Sequence, residues 1–276
     1  MGNLVSTDWL AAHLGEANLI VLDATWHMPT LKRNAHEEFI AAHISGARFF
    51  DIDKTSDATS PLPHTLPPAT QFSAQIGALG ISSNTHVVAY DSYGLFSAAR
   101  CWWMFKVFGH NKVSVLDGGL KKWLAEGRPT VSSEPTPAKS GQFTAKLNSF
   151  MLRTMSEVAQ SQAQIADARS PTRFRGEEPE PRPGVRAGHI PGAYNVHYAS
   201  LLASDGTLRA KTQLADQFAN SGINTERPII TSCGSGVTAA ILSLALTELG
   251  AKNHALYDGS WTEWGASTMP LASGPA

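Results

Sequence analysis

The sequence predicts an α/β protein of two similar halves, each a mainly parallel sheet flanked by helices. Two observations predict it. Several segments recur in the same order along the chain, and within each half short β-branched and apolar runs alternate with helical patterns. Strand, loop, helix and strand in that order make a parallel sheet.

The recurrences are specific. Leu22-Asp23-Ala24 is echoed by Ala166-Asp167-Ala168, and Ala42-His43-Ile44-Ser45-Gly46-Ala47 by Gly188-His189-Ile190-Pro191-Gly192-Ala193. Phe108-Gly109, Leu116-Asp117-Gly118 and Trp123 match Leu249-Gly250, Tyr257-Asp258-Gly259 and Trp264 without a gap. Residues 1–135 form the expected N-terminal domain, 136–150 a linker and 151–276 the C-terminal domain. Gly127, Pro129, Pro135, Pro137 and Gly141, set among Ser and Thr, give the stretch around that linker an extended character.

In the first half Ala98 to Val107 is helix-like, with Cys101 beside Trp102, Trp103 and Phe105, so that this thiol reads as a small buried hydrophobe. In the second half Pro228 to Ser232 reads as a buried strand. Ala239 to Leu249 follows as a helix with Ile241, Leu244, Ala245 and Leu249 on one face.

Composition excludes several classes of function. The chain has 276 residues, 42% hydrophobic and 16% charged, with seven Trp and a formal net charge of -1. That describes a globular protein with no general electrostatic attraction for nucleic acid or an anionic membrane. No apolar run approaches the roughly 18 residues of a membrane span, and the N-terminus lacks the basic-then-apolar pattern of a signal peptide. A cytoplasmic protein is expected. Two cysteines without a local Cys or His partner make a poor zinc site, so no metal is expected and each thiol serves packing or reactivity.

The strand ending at Ser232 runs into Cys233-Gly234-Ser235-Gly236-Val237-Thr238 and then directly into the helix. Ligands of open α/β sheets bind at the carboxyl ends of strands, and here a thiol stands on that edge before a helix N-terminus. The two glycines let several N–H groups turn toward one atom, a cradle for negative charge to which the helix dipole adds. Both effects favour thiolate, which makes Cys233 a candidate nucleophile. The gapless alignment sets Ser92 opposite Cys233, and a Ser with no evident base is a weak nucleophile. The N-terminal half is expected to be catalytically silent.

The two tandem α/β halves, the His-Ile-Pro-Gly-Ala turn, the six-residue loop opening with Cys and the Asp-Gly-Ser-Trp segment after it resemble the two-domain rhodanese family over nearly the whole chain. The implied fold is two tandem rhodanese-like domains. The implied activity is sulfur transfer through a persulfide on Cys233, without a cofactor. Within the family, Cys-Gly-Ser-Gly-Val-Thr is similar to the loop of the branch that uses 3-mercaptopyruvate, whereas thiosulfate-using members usually carry Arg and Lys after the Cys. Gly234, Gly236, Val237 and Thr238 would then line the sulfur site.

The resemblance further implies that Arg173 and Arg182, in Arg173-Phe174-Arg175-Gly176-Glu177-Glu178-Pro179-Glu180-Pro181-Arg182, hold the carboxylate and keto oxygens of the donor. Planar bidentate recognition suits Arg. Read alone, the same segment is better explained as a solvated loop whose arginines pair with Glu177, Glu178 and Glu180. Asp53, His64 and Ser235 match a relay in which the Ser hydroxyl donates to the departing enolate and His64 manages its proton. Leu62-Pro63 before His64 departs from the family pattern. His43 and His189 recur in both halves, which argues for structural roles. Thioredoxin or a low-molecular-weight thiol is the implied acceptor. The alternatives are a thiosulfate sulfurtransferase and a non-catalytic persulfide carrier. A phosphatase loop would be longer and would end in Arg, where this chain has Thr238.

Overall fold

A computed structural model describes residues 2–134 and 139–275; Pro135, at the end of the expected N-terminal domain, and Pro137, in the expected linker, lie outside the described residues. The chain divides into two compact units, one of residues 1–58, 66–148 and 204–208, the other of residues 59–65, 149–203 and 209–276. Thus the His64 segment, from the first half of the sequence, belongs to the second unit, and the 204–208 segment belongs to the first.

In the first unit β1 (Leu4–Val5), β2 (Leu19–Asp23), β3 (Arg48–Phe49), β4 (His86–Tyr90) and β5 (Val113–Leu116) form one sheet in the order β1-β5-β4-β2-β3. In the second, β6 (Leu152–Arg153), β7 (Gln164–Asp167), β8 (Ala193–Asn195), β9 (Ile229–Ser232) and β10 (His254–Tyr257) form another in the order β6-β10-β9-β7-β8. Every strand pairing is parallel. The central strands β4 and β9 are buried at every position, as befits strands covered on both faces.

The gapless register of the two halves carries through to their elements. Ala98 and Ala239 open equivalent helices, Val113 and His254 equivalent strands, and Gly119 and Ser260 the final helices. Trp123 Nε1 donates to Pro129 O at 2.9 Å and Trp264 Nε1 to Pro270 O at 2.8 Å, so each half ends on the same indole clasp. His43 and His189 are both buried; their Nδ1 atoms donate to Phe39 O at 2.7 Å and Phe174 O at 2.8 Å, and each ring stacks on that phenylalanine. Both histidines are packing and turn-fixing groups.

One expected element differs in its environment. The helix Ala239–Leu249 forms with the expected bounds, but its residues from Ala239 to Leu246 are all buried, whereas Leu249 is only partly so. It has no single apolar stripe. A helix apolar all round is one enclosed by its domain, and here the enclosed helix is the one whose N-terminus faces the Cys233 loop.

Separate cores support the two sheets: Leu10, Val21, Phe39, Val88, Leu116 and Trp123 in the first, and Val158, Ile165, Phe174, Ile230, Tyr257 and Trp264 in the second. Residues 139–148, inside the expected linker, are tied to the first unit by backbone bonds. Gly141 N–H donates to Gly77 O at 2.8 Å, Lys146 N–H to Phe108 O at 3.0 Å and Asn148 N–H to Val107 O at 2.7 Å. A Cβ on Gly141 would lie 2.4 Å from Ile81 O, so glycine here permits a close backbone approach. Cys101 is fully enclosed in its helix, and burial pushes its thiol well above the usual range. Among the described residues no helix is long and apolar enough to cross a membrane, and no group of three or more His, Cys, Asp or Glu side chains is arranged to hold a metal.

Candidate active site

The site of the second unit is built where β9 ends. Cys233 follows the last residue of β9 and is only 2% exposed. Its Sγ accepts the N–H of Gly236 at 3.1 Å, so the loop folds back over its own sulfur. Gly236 has φ 80°, a backbone region that an L side chain disfavours, and this is what turns its amide inward. Among the described residues the N–H groups of Gly234, Ser235 and Val237 have no acceptor. Val237 is buried, and Thr238 stands at the N-cap of Ala239–Leu249 without a side-chain capping bond.

The other glycine has a different role. A Cβ on Gly234 would lie 3.2 Å from a terminal nitrogen of Arg173, so the guanidinium rests directly over this residue. Arg173 sits on the short helix Pro171–Arg175, whose N-cap Ser170 accepts the Arg173 N–H. Its terminal nitrogen also donates to Glu180 Oε2 at 2.5 Å. Arg182 donates to Thr262 Oγ1 at 3.5 Å, and Thr262 Oγ1 donates in turn to Gly234 O at 2.6 Å. Both arginines therefore converge on the Cys loop. Arg175 instead pairs with exposed Glu177, as the solvated-loop reading expects for that one residue.

His64 reaches the same loop. Its Nδ1 lies 2.9 Å from Ser235 Oγ, and both side chains are nearly enclosed. His64 adopts φ 61°, an uncommon conformation for a non-glycine residue, and the turn directs its ring at the serine. Asp53 belongs to the first unit, where its Oδ2 accepts Trp26 Nε1 at 3.1 Å on the wall of a polar recess of about 300 Å³ shared with His27 and Arg33.

Ser260 was not legible as a site residue. It is fully buried at φ 48°, accepts the Cys233 N–H at 3.1 Å on its Oγ and donates to Tyr257 O at 2.8 Å. Its equivalent in the first half is Gly119, at φ 53°. The signal that could have found it is that exchange, Asp-Gly-Gly against Asp-Gly-Ser. Serine accepts backbone strain that glycine avoids, and what it gains is the acceptor for the nucleophile's own amide. Ser260→Ala is expected to lose about 1–3 kcal/mol of stability, since it keeps the strain and leaves that amide unpaired, and Ser260→Gly to lose less. Denaturant melts of the two variants check the order; a glycine variant less stable than the alanine one would contradict it.

The first half shows what a filled cradle looks like. The carboxylate of Asp91, fully buried, accepts the N–H groups of Tyr93 at 2.9 Å, Gly94 at 3.1 Å, Phe96 at 2.7 Å and Ala98 at 2.8 Å. Burial pushes this carboxyl above its usual range, and the four amides pull against that shift. Asp91, not Ser92 as the sequence alignment expects, stands in the place of Cys233: Leu120 N–H donates to Asp91 O as Trp261 N–H does to Cys233 O, and Gly94 donates to the Asp91 carboxylate as Gly236 does to the Cys233 sulfur, the first loop being one residue longer. The loop amides are thus taken up internally.

The fold and the loop together define a class of protein: a tandem α/β chain presenting one cysteine in an amide-lined loop at a strand-to-helix edge. The rhodanese-like domain model matches twice, over residues 6–126 and 152–267, and this chain belongs to that family. It is 42% identical to the 3-mercaptopyruvate sulfurtransferase of Rattus norvegicus, over 97% of this chain and 93% of that one. It is also 42% identical to the thiosulfate sulfurtransferase of the same organism, over 95% of this chain and 91% of that one. The crystal structure of SseA from Escherichia coli, a 3-mercaptopyruvate sulfotransferase with the rhodanese fold, superposes with a TM-score of 0.87 at 40% identity, covering 95% of this chain and 99% of that one.

Proposed function

We propose that this chain is a 3-mercaptopyruvate sulfurtransferase, moving sulfur from that donor to a thiol or cyanide through a persulfide on Cys233. The observation that carries the reading is the convergence of Arg173 and Arg182 on a loop whose sulfur is already held by the Gly236 amide. Two planar cations beside a nucleophile suit a donor that places a carboxylate and a ketone next to its transferable sulfur.

The Cys233 thiolate attacks the donor's thiol sulfur. An S–S bond forms, the C–S bond breaks, and its electron pair leaves on carbon as pyruvate enolate. The donor's thiol proton, passed through Ser235 and His64 with Asp53 as the third member of the relay, ends on that carbon, so pyruvate departs and Cys233 keeps a persulfide anion. Gly234, Gly236, Val237 and Thr238 surround the new sulfur, and the loop amides stabilise its charge. An acceptor thiolate, of thioredoxin or of a small thiol, then attacks the outer sulfur and regenerates the Cys233 thiolate. Atoms and electrons balance without a metal or organic cofactor.

Residues 151–276 supply the nucleophile and residues 1–135 a domain whose loop is closed on Asp91, with 136–150 between them. A reducing cytoplasm suits a chain whose two cysteines are both free. Fractionation with an oxidising compartment would count against that location, and slower discharge of the Cys233 persulfide by thioredoxin and thiols than by cyanide would count against the acceptor.

The comparable identity to a thiosulfate sulfurtransferase keeps that donor as the second reading. Thiosulfate is a dianion, and the loop after Cys233 offers it neutral Gly234 and Ser235. With both donors at matched ionic strength, kcat/KM for 3-mercaptopyruvate is expected to exceed that for thiosulfate by at least about tenfold, the scale of one charge-assisted contact. A ratio favouring thiosulfate would overturn the assignment, and sulfur loading without pyruvate release would make the chain a carrier.

A further inference from the structure

Arg169 is a buried cation of the second unit. Its side chain is 1% exposed. Nε and one terminal nitrogen donate to Asp167, the latter at 2.6 Å; that nitrogen also donates to Gly188 O at 2.8 Å, and the other to Glu180 Oε1 at 2.7 Å. The guanidinium lies 4.5 Å above the Trp261 ring, and Trp261 N–H donates to Cys233 O at 2.9 Å. Glu180, its side chain 4% exposed, is shared between Arg169 and Arg173.

The first half isolates what this arginine adds. Asp23 Oδ1 accepts the Thr25 N–H at 2.9 Å just as Asp167 Oδ1 accepts the Arg169 N–H at 2.9 Å, so the turn after the strand forms equally well with threonine. Buried ion networks are weak sources of stability because desolvation offsets their attraction. The guanidinium is present only in the half that carries the cysteine loop.

We propose that Arg169 is a positioning residue: it holds Glu180 in place and balances its charge, so that Arg173 is aimed over Gly234 with positive charge to offer an anion. Asp167 and Glu180 oppose Arg169 and Arg173 one for one. Without Arg169, two carboxylates face Arg173 alone, and the region becomes net negative where an anionic donor must bind. The proposal rests on Arg173 being a donor-binding group.

Arg169→Lys keeps the charge, but a lysine ammonium cannot reproduce the fork that spans Asp167, Glu180 and Gly188. It is expected to raise KM for 3-mercaptopyruvate about tenfold with kcat changed by less than about threefold, the signature of lost uniform binding. In an Arg173→Ala background the same change is expected to raise KM by less than about twofold, because residues acting through one another are not additive. A folded Arg169→Lys with wild-type KM, or an equal effect in both backgrounds, overturns the positioning role. Should melting show that this variant does not fold, Glu180→Asp, which keeps the charge but withdraws the carboxylate from both arginines, is carried through the same cycle with the same two outcomes. A wild-type chain that releases no pyruvate from 3-mercaptopyruvate instead overturns the donor assignment, and this proposal with it.

Discussion

Cys233→Ser is expected to remove turnover, by on the order of 10⁴-fold or more, while Cys101→Ser leaves kcat/KM within about twofold of wild type. A serine hydroxyl is a poor nucleophile without a strong base, and it cannot carry sulfur as a persulfide. The surroundings separate the two thiols. Cys233 sits at the carboxyl end of β9 with an amide donated to its sulfur, whereas Cys101 lies in the middle of a helix with no exposed surface. Replacing Cys101 places a hydroxyl in an apolar interior, so its cost belongs to stability, about 1–3 kcal/mol. Steady-state kinetics and a melting curve on each variant separate these effects. Turnover retained by Cys233→Ser would end the persulfide mechanism.

The second large effect is expected at the donor-binding arginines. Arg173→Ala and Arg182→Ala should each lower kcat/KM for 3-mercaptopyruvate by about 2 kcal/mol, roughly thirtyfold, as for losing a charge-assisted hydrogen bond. The loss should fall mostly on KM, because the donor's carboxylate keeps its charge through the reaction and is held alike before and at the transition state. Arg173→Ala should be the worse of the two. It removes the guanidinium over Gly234 and leaves Asp167 and Glu180 facing Arg169 alone, whereas Arg182 meets the loop through Thr262 at 3.5 Å. Arg175→Ala is the control, since its partner is exposed Glu177. Equal kinetics for all three variants would return the segment to a solvated surface loop.

The duplicated order of segments made the fold legible, because equivalent elements fall in one gapless register from the helix Ala98–Val107 onward. The Cys233 loop was legible for a local reason: glycine and cysteine side by side at a strand-to-helix edge have few structural explanations. The buried surroundings were harder to read. The helix Ala239–Leu249 shows a helical period, but periodicity cannot tell one covered face from complete enclosure. Glu180 was legible only as a pairing partner for arginines, since a carboxylate in a charged, proline-bearing segment is usually solvated; its burial depends on Arg169, several residues away. Ser260 and Arg169 differ from Gly119 and Thr25 at matching places in the two halves. Residues shared by both halves, such as His43 and His189, hold the fold, and those that differ gather around Cys233.

The central claim is that one sulfur passes from 3-mercaptopyruvate to Cys233 as pyruvate leaves. The most direct measurement mixes the protein with a small excess of 3-mercaptopyruvate in the absence of acceptor, then determines pyruvate released and the mass of each cysteine-bearing peptide. One pyruvate per chain is expected, with one added sulfur on the peptide containing Cys233 and none on the peptides containing Cys101 or Ser92. Pyruvate released without sulfur on Cys233, or sulfur gained there with no pyruvate formed, would contradict the account.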